Sequence, residues 1–181
     1  MCIAYIRQSV ALCAALGTLA LATPALAQNI SLIRDAEIEA TVRAYANPIF
    51  AAAGLNSQSI RIHLVSDDRL NAFVAGGQRI FIHTGLLIAA QDPEQVVGVI
   101  AHEAGHIAGG HLIRLQEELH NAEARSVAAF VLGTAAAIAV GDPRIASAVN
   151  IAGQQVAMTS LLQYSRTQES VADLAALKYL D

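Results

Sequence analysis

Five residues constrain this chain more than any others: His102-Glu103-Ala104-Gly105-His106, which follow the apolar run Val96-Val97-Gly98-Val99-Ile100-Ala101. On an α-helix, residues four apart lie nearly one above the other, so both imidazoles project from one face. Two neutral imidazoles at that spacing can occupy two corners of a zinc tetrahedron. The glutamate beside the first of them then lies where it can take a proton from a water at the metal. The helix is signalled independently of the motif. Asp92 is placed to cap the free amides, Pro93 suits the first helical position, and Gln95 completes a capping-box pattern. Val96, Val99, Ile100 and Ile107 supply a buried stripe. The competing reading is a helix that carries two histidines by coincidence, and the capped, charge-poor surroundings weigh against it.

A four-coordinate catalytic zinc needs a third protein ligand, with one position left for water. Two candidates stand downstream. His111 nearly completes an extended HExxHxxGxxH pattern, with Gly109 in place, but Leu112 holds the position where the third histidine would stand. Met158 has no turn chemistry around it that would supply the methionine turn of that pattern. His111 is therefore expected to be a polar residue near the end of the active-site helix. The other candidate is Glu169, in Ser165-Arg166-Thr167-Gln168-Glu169-Ser170-Val171-Ala172-Asp173, a stretch that reads as a helix continuing through Leu174, Leu177 and Leu180. Glu169 and Asp173 are again four apart and face the same way. One can bind zinc while the other accepts a hydrogen bond from a ligand imidazole, His102 being the expected partner, and fixes its tautomer. The bland reading is a solvated acidic face, which the nearby HExxH motif makes less fitting.

With HEAGH and the downstream E-S-V-A-D in view, the chain resembles the glutamate-ligand zinc peptidases (gluzincins) of the HtpX and CAAX-prenyl-protease type, and within them the periplasmic BepA-like branch. Upstream, Asn71-Ala72-Phe73-Val74-Ala75-Gly76-Gly77 through Ile80 and His83-Thr84-Gly85-Leu86-Leu87 resembles the hairpin that precedes the catalytic helix in that family. The opening Leu32-Ile33-Arg34-Asp35-Ala36-Glu37-Ile38-Glu39 is similar to that of bacterial members. The resemblance implies a zincin-like metallopeptidase domain, mainly α (α+β), with a small β-hairpin or sheet beside the active-site helix. It implies one zinc per chain held by His102, His106 and Glu169, with Glu103 as the catalytic base and Asp173 orienting a ligand. It also implies protein or peptide substrates: misfolded or stalled envelope proteins, with envelope assembly machinery as a partner. The rival function is a non-catalytic chaperone or assembly factor built on the same zinc fold. An intact Glu103 argues against it, since a structural zinc site needs no base there.

The strand patterns agree with such a cleft. Ile60-Arg61-Ile62-His63-Leu64-Val65 alternates as a half-buried strand and Arg79-Ile80-Phe81-Ile82-His83 does so again. Gly76-Gly77 permits the reversal between Phe73 and Ile80. An exposed strand edge beside a metal can hold an extended peptide through main-chain hydrogen bonds. His63 and His83 are read as structural or surface residues and His120 as solvated. For the oxyanion of the tetrahedral intermediate, Tyr164 and Arg166 are the candidates.

Residues 1–27 read as a signal peptide. Met1 to Arg7 form a short basic region and Val10 to Ala22 an apolar core, and Ala25-Leu26-Ala27 gives a small-x-small cleavage site before Gln28. An uncleaved anchor is the competing reading; the apolar core is short for a span. Export to the periplasm follows, with 28–181 as the peptidase domain. Cys2 and Cys13 leave with the signal, so the metal ligands must be histidine and carboxylate. Losing Arg7 leaves the remainder one unit more acidic than the formal −4 of the whole chain, which offers no basic patch for nucleic acid.

Val127 to Val140 is apolar all round and ends at Gly141-Asp142-Pro143. It is expected to be a core or site-covering helix, with peripheral membrane contact as the minor reading. A second alanine-rich helix is expected from about Arg144 to Leu162. The chain ends in or after the helix that bears Glu169, while similar peptidases continue into further helices and, in the BepA-like branch, a helical-repeat module. A catalytic domain incomplete at its C-terminus is the expectation.

Overall fold

The computed structural model describes residues 31–181, so the expected signal segment lies outside the described residues. A two-residue strand β1 (Leu32–Ile33) leads into helix α1 (Ala36–Ala52). Asp35 caps α1, its carboxylate accepting from the amides of Glu37 and Ile38 at 3.0 Å each. Strands β2 (Arg61–Val65), β3 (Ala72–Ala75) and β4 (Arg79–His83) follow. They join β1 in one sheet of order β1-β2-β4-β3. β2 and β4 are parallel, and the outer two pairings are antiparallel. Gly76 and Gly77 both take positive φ at the β3–β4 reversal, the backbone region that glycine enters most readily.

Strand alternation builds the core. Ile62 and Leu64 on β2, with Ile80 and Ile82 on β4, face one side of the sheet. There they meet Val42, Ala46, Ile49 and Phe50 of α1 and Val96, Ile100, Ala101 and Ala104 of helix α3 (Pro93–Ala108). Arg43 ties α1 to the start of β2 by donating to the carbonyls of Ser57 (3.1 Å) and Ile60 (2.8 Å). On the opposite face His63, Phe81 and Phe73 form a stacked row with 5.0 Å between successive ring centroids. His83 is buried and His63 half-buried, both in structural positions.

After β4 a short helix α2 (Thr84–Ala89) leads to α3. Pro93 begins α3 and Asp92 takes the N-cap backbone conformation, but the Asp92 side chain makes no capping bond. Gln95 reaches back one residue further than a capping box requires, and its Oε1 accepts from the Gln91 amide at 3.0 Å.

Two long helices complete the described residues: α4 (His111–Val140) and α5 (Pro143–Leu180). The two helices expected from Arg144 and from Ser165 are a single one, because no glycine or proline interrupts residues 154–180. The apolar half of α4 departs from the expectation of a core or site-covering helix. Phe130, Val131, Leu132, Ile138 and Val140 are all exposed. The helix is also longer than the apolar run, since its polar first half is continuous with it. Its 18-residue window of mean hydropathy 1.5 makes it the one described helix long and apolar enough to cross a membrane, and only 6% of that window is buried. Small residues set its packing against α5. A Cβ on Gly133 would stand 3.1 Å from the Ala146 carbonyl oxygen, and one on Gly153 would overlap Ala129.

Candidate metal centre and catalytic glutamate

Helix α3 carries His102, Glu103 and His106 in its last two turns, and α5 lies across it carrying Glu169 and Asp173. Gly105 and Ala172 permit the crossing. The Gly105 Cα lies so near α5 that a Cβ there would stand 3.0 Å from the Ala172 carbonyl oxygen, and Ala172 is fully buried. Glu169, three residues before Ala172, and Asp173, one after it, thereby overhang the α3 histidines.

Three donor atoms converge. His102 Nε2 is 3.0 Å from His106 Nε2 and 3.4 Å from Glu169 Oε2, while His106 Nε2 lies 3.7 Å from that same oxygen. A tetrahedral cation with bonds of about 2.0–2.1 Å sets its ligand atoms about 3.3 Å apart. The triangle therefore has the dimensions of a three-ligand metal site, and among the described residues it is the group so disposed. The donors are two imidazoles and a carboxylate, a set that suits zinc.

Each ring nitrogen that faces away from the cluster has a partner. His102 Nδ1 is 2.9 Å from Asp173 Oδ1, which accepts its proton and leaves the Nε2 lone pair toward the cluster. His106 Nδ1 is 3.0 Å from His111 Nδ1. His111 stands just past the end of the active-site helix, as the first residue of α4, buried and turned back onto His106, because Gly110 breaks the helix with φ +63°.

Glu103 is buried beside the cluster. Burial pushes its carboxyl up to about 7; the His102 charge opposes this, Glu169 reinforces it, and the Val74 amide pulls it back. Burial likewise lowers His106, against the pull of Glu169. The lowering of His106 favours its neutral imidazole, the form that offers a lone pair to a metal.

The Val74 amide belongs to β3, the edge strand. His83 N–H bonds the Asn71 carbonyl, so antiparallel alternation turns the amides and carbonyls of Ala72 and Val74 away from β4, to the free side. A cavity of about 110 Å³ opens beside the cluster, lined by Val74, His106, His111, Leu115, Tyr164 and Glu169 among others. Of the two oxyanion candidates, Tyr164 lines this cavity and Arg166 is exposed outside it. His111 and the Val74 amide are the two site elements that sequence reasoning did not assign.

Several known proteases are similar to this chain. The chain is 28% identical over 148 residues to a Vibrio cholerae protein whose name places it among the beta-barrel assembly-enhancing proteases; the match covers 82% of this chain and 30% of the relative. The Escherichia coli K12 beta-barrel assembly-enhancing protease is 28% identical over 122 residues, covering 65% of this chain and 24% of its own length. The mitochondrial metalloendopeptidase OMA1 of Schizosaccharomyces pombe is 27% identical over 133 residues, with 71% and 35% covered. The chain thus spans about a quarter to a third of the length of these relatives. The family model described as "Peptidase family M48" matches residues 32–181, which takes in every element from β1 to α5, and the chain belongs to that family.

Proposed function

We propose that this chain is a zinc-dependent endopeptidase. The observation that carries the reading is the convergence of His102, His106 and Glu169 beside a buried carboxylate, Glu103. One zinc per chain would be held by those three side chains, and when bound it supplies Lewis acidity to a peptide carbonyl and to a water molecule. Glu103 accepts the proton of the attacking water on its carboxylate and delivers it to the departing amine. Its burial suits that exchange, because a carboxyl poised near neutrality can both take and return a proton. Asp173 holds the His102 ring with Nε2 toward the cluster. The free edge of β3 pairs with the substrate as an added strand, through the backbone groups of Ala72 and the carbonyl of Val74.

Substrates would be misfolded or stalled proteins of the cell envelope, a reading supported by the names of two of the relatives above. It accords with a cleavable segment at 1–27 and a periplasmic domain over 28–181. The exposed apolar stretch of α4 supports peripheral contact with a membrane.

Casein incubated with the zinc-loaded chain tests the enzymatic reading. Hydrolysis should stop when a chelator is added and fall by several orders of magnitude in Glu103→Gln, which should keep its zinc. Zinc-dependent suppression of aggregation with no cleavage would instead identify a chaperone.

A further inference from the structure

We propose that His111 is the positioning residue for His106: its Nδ1 takes the Nδ1 proton of His106 and holds that ring with Nε2 turned toward His102 and Glu169. This rests on the metal-site reading given above.

The geometry determines which nitrogen carries which proton. A neutral imidazole has one N–H and one lone pair. His106 Nε2 lies 3.0 Å from His102 Nε2 and 3.7 Å from Glu169 Oε2, so that is the atom whose lone pair a cation would use. The proton of His106 then sits on Nδ1, 3.0 Å from His111 Nδ1. His111 must accept there, which puts its own proton on Nε2.

Three local features serve this contact. Position 111 lies five residues beyond 106, and on an uninterrupted helix it would stand about 140° around the axis, out of reach. Gly110, with φ +63°, ends that course and folds the chain back. Gly109 makes the room, because a Cβ on it would overlap the His111 ring at Nε2. The ring itself is buried: its Nδ1 bonds His106, while its Nε2 is buried with no hydrogen-bond partner among the described residues. Gly109, which also fits the extended HExxHxxGxxH pattern, thus has a different use here, together with Gly110.

The pairing also resolves an asymmetry in the site. His102 has a carboxylate behind it, Asp173, supplied by α5. His106 has no carboxylate bonded at Nδ1, and its orienting group comes from the first residue of α4. His111 is not itself a ligand: its Nδ1 faces the back of the His106 ring, and its nitrogens stand outside the cluster of converging donor atoms. Each ligand histidine is therefore fixed by a different helix.

The test uses zinc alone, titrated against a competing chelator, on folded protein checked by circular dichroism. His111→Ala should still take up zinc, but roughly 10–100-fold more weakly, the usual loss when the partner of a ligating histidine is removed. His111→Asn places a carboxamide oxygen near the position of Nδ1 and should recover most of that loss. Gly109→Ala, which crowds the ring while leaving His111 in place, should resemble His111→Ala. In nitrogen-15 spectra of the zinc-loaded wild type the Nδ1–H of His106 should exchange slowly with solvent; it should exchange fast in His111→Ala and slowly again in His111→Asn. If His111→Ala does not fold, the Asn and Gly109 variants decide the matter. A His111→Ala protein with wild-type zinc affinity, or an Asn variant no better than the Ala one, overturns the proposal while the metal site stands. A wild-type chain that takes up no zinc overturns the metal-site reading and this inference with it.

Discussion

Gly105 on α3 and Ala172 on α5 touch backbone to backbone, and that contact sets the height at which Glu169 meets the two histidines. Ala172 is fully buried there. Glycine at 105 and alanine at 172 are the two smallest side chains, so the helices approach as closely as their backbones allow.

Enlarging Ala172 should therefore act on the metal before it acts on the fold as a whole. Ala172→Leu forces α5 away from α3, at a cost of about 1–3 kcal/mol for overpacking a filled contact. Zinc affinity should fall in the same variant, because Glu169 and Asp173 are displaced together. Denaturant unfolding and chelator competition on one preparation check both. Unchanged zinc affinity would show that the crossing does not set the site.

Asp173→Asn should weaken zinc binding roughly 10–100-fold. The amide oxygen still accepts from His102 Nδ1, but it no longer raises the basicity of the ring. Zinc affinity and casein turnover both equal to wild type would place Asp173 on the solvent face in function as well as in exposure.

The carboxyl of Glu103 gives the metal-free chain a specific pH signature. Its folded-state value of about 7 lies above the ordinary 4.5, so between those values the unfolded chain releases this proton first. Stability from Glu103 is thus present at low pH and is lost as pH rises toward 7. His63, His106 and His111 are shifted down, and their contribution runs the other way, lost as pH falls below about 6.5. Comparing wild type with Glu103→Gln isolates the contribution of Glu103. In chelator-treated protein, the advantage of the Gln variant in thermal midpoint should grow from pH 5 to pH 7.5. A constant difference would contradict a raised Glu103.

Much of this site was legible from spacing. The HExxH pair and the Glu169/Asp173 pair each sit four apart, and a helix converts that interval into a shared face whatever else the fold does. Ala25-Leu26-Ala27 falls outside the described residues. The remainder was not legible because it depends on how helices meet. His111 reaches His106 only through the turn at Gly110, and the Val74 amide reaches Glu103 only because β3 is an edge strand. The capping box failed for a local reason, since Gln95 found the Gln91 amide instead. From composition the apolar half of α4 reads as core or site-covering, because composition reports that a face needs covering and not what covers it.

That exposed face yields a cellular prediction. Protein recovered from the cell envelope should begin at Gln28 and should leave membranes under a carbonate or high-salt wash. Replacing Phe130 and Ile138 with glutamate should reduce its membrane-associated fraction. A product that resists the wash and retains Met1 would make the N-terminal segment an anchor.

The central claim is that Glu169 completes a metal site with His102 and His106, and metal analysis of the purified chain tests it most directly. Wild-type protein should hold close to one zinc per chain, as three protein ligands imply. Glu169→Ala should lose most of that zinc while keeping its helical circular dichroism. A folded Glu169→Ala protein that retains a full zinc at wild-type affinity would contradict the account.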